Sequence, residues 1–132
     1  PNSIYAANNL AWIYADMGKG NLDEALRLAQ GVVQKNPNIA GFIDTLGWVY
    51  YKKNLNDLAI DQLQKAVALD ESAARANNGS PSATYQFHLG MALKGKGDKE
   101  ASRRALEASL RLGEGKSNFP YADEAKQALA SL

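Results

Sequence analysis

Residues Ile43 to Asp70 read I-D-T-L-G-W-V-Y-Y-K-K-N-L-N-D-L-A-I-D-Q-L-Q-K-A-V-A-L-D. Leu46, Gly47 and Tyr50 set a small residue between two large ones on one helical face, and Ala59, Leu63 and Ala66 build a second such face. Each half carries the 3.6-residue apolar period of an amphipathic helix. The polar run Lys53-Asn54-Leu55-Asn56 breaks the two apart. A glycine inside a helix costs about 1 kcal/mol relative to alanine, so Gly47 implies close approach of a neighbouring helix. The stretch therefore reads as two antiparallel helices that meet across small residues.

The unit recurs on both sides. Upstream, Leu10, Ala11 and Tyr14 lead to Gly18, then to Ala25, Ala29, Val32 and Pro37. Downstream, Leu89, Gly90 and Leu93 lead to Gly97, then to Ser102, Leu106 and Ser109. Leu46 to Leu63 and Leu89 to Leu106 are both 17 residues, and Leu10 to Ala29 is 19, the excess being the turn insertion Lys19-Gly20. On these residues the chain resembles the tetratricopeptide repeat family, whose 34-residue unit is a helical hairpin. The units fall at residues 4–37, 40–73 and 83–116, with a covering helix over 120–132. The family's first tryptophan position holds Ala7, Ile43 and Gln86, its glycine is Ala11 in the first unit, and Glu71 stands in place of its proline. The resemblance implies an all-α, right-handed superhelical array of three hairpins plus a C-terminal capping helix, one domain over residues 1–132.

Composition narrows the function classes. The 132 residues are 45% apolar and 22% charged, with 15 basic and 14 acidic side chains for a net charge of +1. Long-range attraction to nucleic acid or acidic lipid has no source in that balance, and no nucleic-acid partner is expected. Cysteine is absent, which excludes disulfides and thiolate metal sites. No run approaches the roughly 20 apolar residues of a membrane helix, so this segment is not expected to insert. The chain opens at Pro1 inside the repeat pattern and reads as a piece of a longer protein. A bacterial cytoplasmic or envelope location, and the oligomeric state, stay open.

Helices are expected over Ser3–Met17, Leu22–Lys35, Ala40–Lys52, Asn56–Leu69, Pro81–Lys94, Asp98–Leu110 and Pro120–Leu132. Asn21 and Ser80 are the expected caps of the second and fifth, with Pro81 as first helical residue. Asp23 and Glu24 suit a helix start. Leu46 to Leu89 is 43 residues, nine beyond the family period. Ala73, Ala74 and Ala76 favour absorbing the excess by lengthening the fourth helix. Gly113 to Asn118 reads as a flexible link.

No residue set points to catalysis or to a cofactor. His88 is the only histidine and lacks partners at metal-ligand spacing. Gly18-Lys19-Gly20 and Gly95-Lys96-Gly97 lie between helices and miss the phosphate-loop spacing. Asn78-Gly79-Ser80 matches a glycosylation acceptor but reads as a turn. Lys99, Arg103, Arg104 and Arg111 share their helix with Glu100 and Glu107, as on a solvated face. An enzyme completed by other parts of the parent protein, with His88 as local contributor, is the rival class.

The resemblance implies a ligand-facing surface on the first helix of each hairpin. Its positions fall on Tyr5, Asn8, Trp12 and Ala15; on Gly41, Asp44, Trp48 and Tyr51; and on Thr84, Phe87, Met91 and Lys94. A contiguous apolar and aromatic surface of this kind usually binds something. The expected function is a non-catalytic scaffold that holds a peptide segment of a protein partner, with Trp12, Trp48 and Tyr51 as anchors. The alternative is a structural segment, its groove filled by the parent protein or by the seventh helix. The carboxylate clamp of the chaperone-tail-binding members is missing, since its places hold Asn8, Trp12, Thr84 and His88. The phrase from Phe87 to Leu110, with Phe119 to Leu129, is similar to bacterial repeat proteins of exosortase-linked exopolysaccharide and protein-sorting systems, which implies a role in envelope assembly.

Overall fold

The computed structural model describes residues 3–18 and 21–132. The Lys19-Gly20 insertion lies outside the described residues. Seven helices and no strand occur among them: α1 (Ile4–Met17), α2 (Leu22–Lys35), α3 (Ala40–Lys52), α4 (Asn56–Ala76), α5 (Ala83–Lys96), α6 (Lys99–Gly113) and α7 (Ala122–Ala130). None is long and apolar enough to cross a membrane. The protein is all-α.

Local chemistry sets most of the boundaries. Ser3 Oγ accepts from the Ala6 amide at 3.3 Å and Asp98 Oδ1 from the Ala101 amide at 3.2 Å, each satisfying a first-turn donor. The break after α3 passes through Asn54 at φ 63°, and the Leu55 amide returns to the Tyr50 carbonyl. α5 closes on Gly97 at φ 92°, a left-handed position that suits glycine.

Three boundaries differ from expectation. Asn21 precedes α2 without a side-chain cap bond. α5 begins at Ala83 and is capped by Ser82, whose Oγ accepts from the Tyr85 amide. Asp70 accepts the Ser82 amide at 2.6 Å and Lys116 donates to Ser80 Oγ at 3.0 Å, so the turn is tied down ahead of the helix. α7 is confined to Ala122–Ala130 because the residues before it turn to pack Phe119. The alanine-rich tail of α4 is helical through Ala76, as its composition favours.

The chain forms two compact units, one ending at Ala66 and one spanning Val67–Leu132. In the first, Ala11 and Ala15 of α1 meet Ala25 and Ala29 of α2, and Leu46 and Val49 of α3 complete the cluster. Small residues let these backbones approach. Gln30 Nε2 donates to Tyr50 Oη at 3.2 Å, and Lys53 pairs with Asp23, linking α2 to the end of α3. Asp23 is 95% exposed, so that pair contributes little stability. α3 crosses α4 at Gly47, where a Cβ atom would lie 2.6 Å from Leu63 Cγ.

The second unit repeats this crossing. A Cβ at Gly90 would lie 2.7 Å from Leu106 Cγ. The buried Ser102 Oγ donates to the Gly90 carbonyl at 2.8 Å, so the polar atom at this contact is satisfied. The stretch expected to be a flexible link is anchored. Gly113 ends α6 beneath the ring of Phe119, which a Cβ there would meet at 2.2 Å.

Replacing either crossing glycine, Gly47→Leu or Gly90→Leu, is expected to destabilise by about 2 kcal/mol or more through overpacking. Gly31 on α2 has open space around its Cβ position, so Gly31→Ala should stabilise by up to about 1 kcal/mol. Urea denaturation of the three variants measures both signs. Equal stabilities would place the helix crossings elsewhere.

Candidate functional site

The expected ligand-facing residues of the first unit lie at helical spacing on α1 and α3, which pack side by side. Their aromatic side chains form a ladder. Trp12 stacks on Trp48 with ring centroids 6.4 Å apart and planes at 24°, and Trp48 stacks on Tyr51 at 4.7 Å and 19°. Offset stacks of this kind add to plain burial. Trp48 is the middle rung and only 7% exposed, so it serves as floor rather than free anchor. Trp12 and Tyr51 are half-buried and present surface to solvent. Lys52 Nζ sits 5.3 Å from the Trp48 ring centroid, a cation–π distance.

Tyr5 is 70% exposed and meets Phe42 edge-on at 5.6 Å. Asp44 is buried. Asn8 is half-buried, and its Oδ1 is shielded from solvent with no hydrogen-bond donor among the described residues. A buried carbonyl left without a donor costs about 1–3 kcal/mol, so this oxygen favours an incoming N–H. Burial pushes the Tyr51 phenol above its ordinary 10.0.

The second unit treats the corresponding face of α5 differently. Phe87 is 1% exposed and stacks on Tyr121 at 5.0 Å with planes 5° apart, while Phe119 meets it edge-on at 6.3 Å. Lys94 Nζ donates to the Ala128 carbonyl at 3.1 Å and to Ser131 Oγ. The chain's own C-terminal segment thus covers these two expected ligand contacts. Thr84 and Met91 stay half-exposed. Phe119 and Tyr121 were not among the expected site residues. Their signal is the aromatic pair flanking Pro120 just before a short helix.

His88 lies buried near the rings of Phe87 and Tyr121, at 5.9 and 6.2 Å. No group of three or more His, Asp or Glu able to hold a metal ion occurs among the described residues. Arg103 lies 3.7 Å from Glu100 on an exposed stretch of α6, in keeping with a solvated charged face.

The tetratricopeptide repeat model matches residues 42–72 and 83–112. These are the segments that carry the Gly47 and Gly90 crossings. The chain has a tetratricopeptide-repeat fold. No curated protein matches it in sequence. Among solved structures, it is similar to the Yersinia enterocolitica type III secretion translocator chaperone SycD, in an alternative dimer. The TM-score there is 0.78 at 18% identity, over 97% of this chain and 89% of that one. SycD in complex with a peptide of the translocator YopD gives 0.76 at 18% identity, over 96% and 89%. A type III secretion complex from Aeromonas hydrophila gives 0.76 at 19% identity, over 97% and 79%. At these identities the likeness speaks for the repeat fold alone.

Two outcomes follow from the side-chain environments. Phe87→Ala is expected to lose about 3–5 kcal/mol of unfolding free energy, as for other buried aromatics, in urea titration. For Tyr51, the folded state holds the phenolic proton more tightly than the unfolded state. Its contribution is therefore intact below pH 10.0 and is lost as pH rises through the higher folded value. Stability measured between about pH 9 and 11 should fall less in Tyr51→Phe than in the parent chain.

Proposed function

We propose that the protein is a non-catalytic interaction module that holds a peptide segment of a protein partner on the α1–α3 face of its first unit. The observation that carries this reading is the aromatic ladder. Trp12 and Tyr51 flank a buried Trp48, and Tyr5 stands exposed on the same helix as Trp12. Rigid aromatic surface with a buried floor is the usual composition of a binding hot spot. Asn8 Oδ1 adds an acceptor in want of a donor, which a peptide N–H supplies. The complex of SycD with a YopD peptide supports the reading, because a chain of similar fold there holds a peptide.

In the second unit a structural reading is favoured. Phe87 and Lys94 are engaged by residues of the C-terminal segment, so that face of α5 is already occupied. The proposed ligand set therefore centres on Tyr5, Asn8, Trp12 and Tyr51, over Trp48 and with Asp44 buried, and Thr84 and Met91 remain secondary. Assignment to exopolysaccharide or exosortase-linked sorting rests on the shared C-terminal phrase alone. The similar solved structures come from type III secretion, so the fold does not choose between pathways.

Selection from a displayed peptide library against the immobilised protein tests the reading. Selected peptides should lose about 30-fold in affinity by calorimetry in Trp12→Ala or Tyr51→Ala, which corresponds to about 2 kcal/mol. Helicity should be unchanged. Recovery of no peptide, or of peptides bound equally by both variants, would overturn it.

A further inference from the structure

The aromatic ladder of the α1–α3 face has different chemistry at its two ends. At one end stands Asn8, whose Oδ1 is shielded from solvent and has no donor among the described residues. A helical ligand spends nearly all its backbone N–H groups on its own carbonyls. An extended one has N–H groups left to give, so the donor that suits Asn8 comes from an extended chain.

At the other end stands Lys52, half-exposed, with Nζ 5.3 Å from the Trp48 ring centroid. An ammonium carries three donor hydrogens, and an aromatic face engages only one side of it. Its neighbour Lys53 pairs with Asp23. Lys52 itself pairs with no carboxylate among the described residues, and Asp16, at the matching place on α1, forms no ion pair either. Lys52 also lies outside the four places of the carboxylate clamp, which hold Asn8, Trp12, Thr84 and His88.

Repeat register gives the distance between the two ends. Asn8 and Trp12 precede Asp44 and Trp48 by 36 residues each, and the Trp12–Trp48 stack sets such matching positions side by side. Lys52 is eight residues beyond Asp44 on α3, which is about 12 Å at about 1.5 Å per residue. An extended chain covers that span in about four residues at about 3.3 Å each. Given the peptide-holding role proposed for this face, we infer that it selects an extended segment with an acidic side chain at that spacing. A backbone N–H of the segment donates to Asn8 Oδ1, and the Asp or Glu carboxylate about four residues away pairs with Lys52. Apolar side chains between them rest on Trp12 and Tyr51. The ion pair is partly solvated, so it supplies selectivity, while the aromatic surface carries most of the affinity.

Peptides selected on the immobilised chain from a random displayed library are the probe. Those that need Trp12 or Tyr51 for binding should be enriched in Asp or Glu over the unselected library. In a synthetic copy, exchanging that acid for its amide should weaken binding about fivefold by calorimetry. Lys52→Met keeps the aliphatic stem over Trp48 and should cost the acidic peptide the same factor, while leaving the amide peptide unchanged. Lys52→Arg should retain the preference, Lys52→Glu should transfer it to a peptide with Lys in place of the acid, and rising salt should erase it. Helicity and melting should match the parent throughout. Peptides that need Trp12 yet show no acidic enrichment, or an acidic peptide bound equally by Lys52→Glu, overturn the inference and leave the peptide site standing. Loss of binding on amidating the peptide's C-terminus, with its internal acid indifferent, overturns it too, since the carboxylate would then be a chain end. Recovery of no peptide overturns both the inference and the site.

Discussion

The crossing of two helices at a glycine is the constraint from which the rest of each unit follows. Gly47 receives Leu63, and Gly90 receives Leu106, with both leucines fully buried. A side chain at either glycine would push the partner helix away and open the hairpin. Once the crossing is fixed, the residues one turn to either side must also be small. Ala59 and Ala66 meet that demand in the first unit, and Ser102 and Ser109 meet it in the second. The serines keep the volume down and send their hydroxyls to the Gly90 and Leu106 carbonyls, so close packing leaves no orphan polar atom there.

Close crossings also decide which side chains remain for function. Small residues turned toward the partner helix leave the large aromatic ones on other sides of the same helices. In the first unit they stack on one another, and the ladder ends in two half-buried rings. In the second unit Met91 holds the place of Trp48, and the aromatic one turn before it, Phe87, is sealed by Tyr121 and Phe119. One repeat pattern thus yields an open face and a closed one. The difference lies in a short segment outside the repeat.

That contrast explains what can be read from the sequence. The hairpins are legible because the glycine-leucine crossing is encoded within 17 residues, and helical period alone brings its members together. The length of α4 is legible in the alanines of its tail. The Trp12–Trp48 stack is legible only through repeat register, since nothing local links residues 36 apart. The fate of Phe87 and Lys94 is not legible, because it depends on where a terminal segment docks. The start of α5 is misplaced for a related reason. Ser80 and Ser82 are both good caps, and the carboxylate of Asp70, 12 residues away in sequence, chooses between them.

Repetition makes departures from it informative. Matching positions in successive helices share a backbone environment only if the same neighbours are supplied. α1 and α3 carry the same apolar stripe, yet the hairpin helix that buries it on α3 has no counterpart for α1 among the described residues. Trp12 thus finds its stacking partner on α3, while the register of Leu10 and Ile13 is the one that α2 covers on α3 through Leu46 and Val49, so one repeat pattern places aromatic and aliphatic residues on separate sides of the same helix.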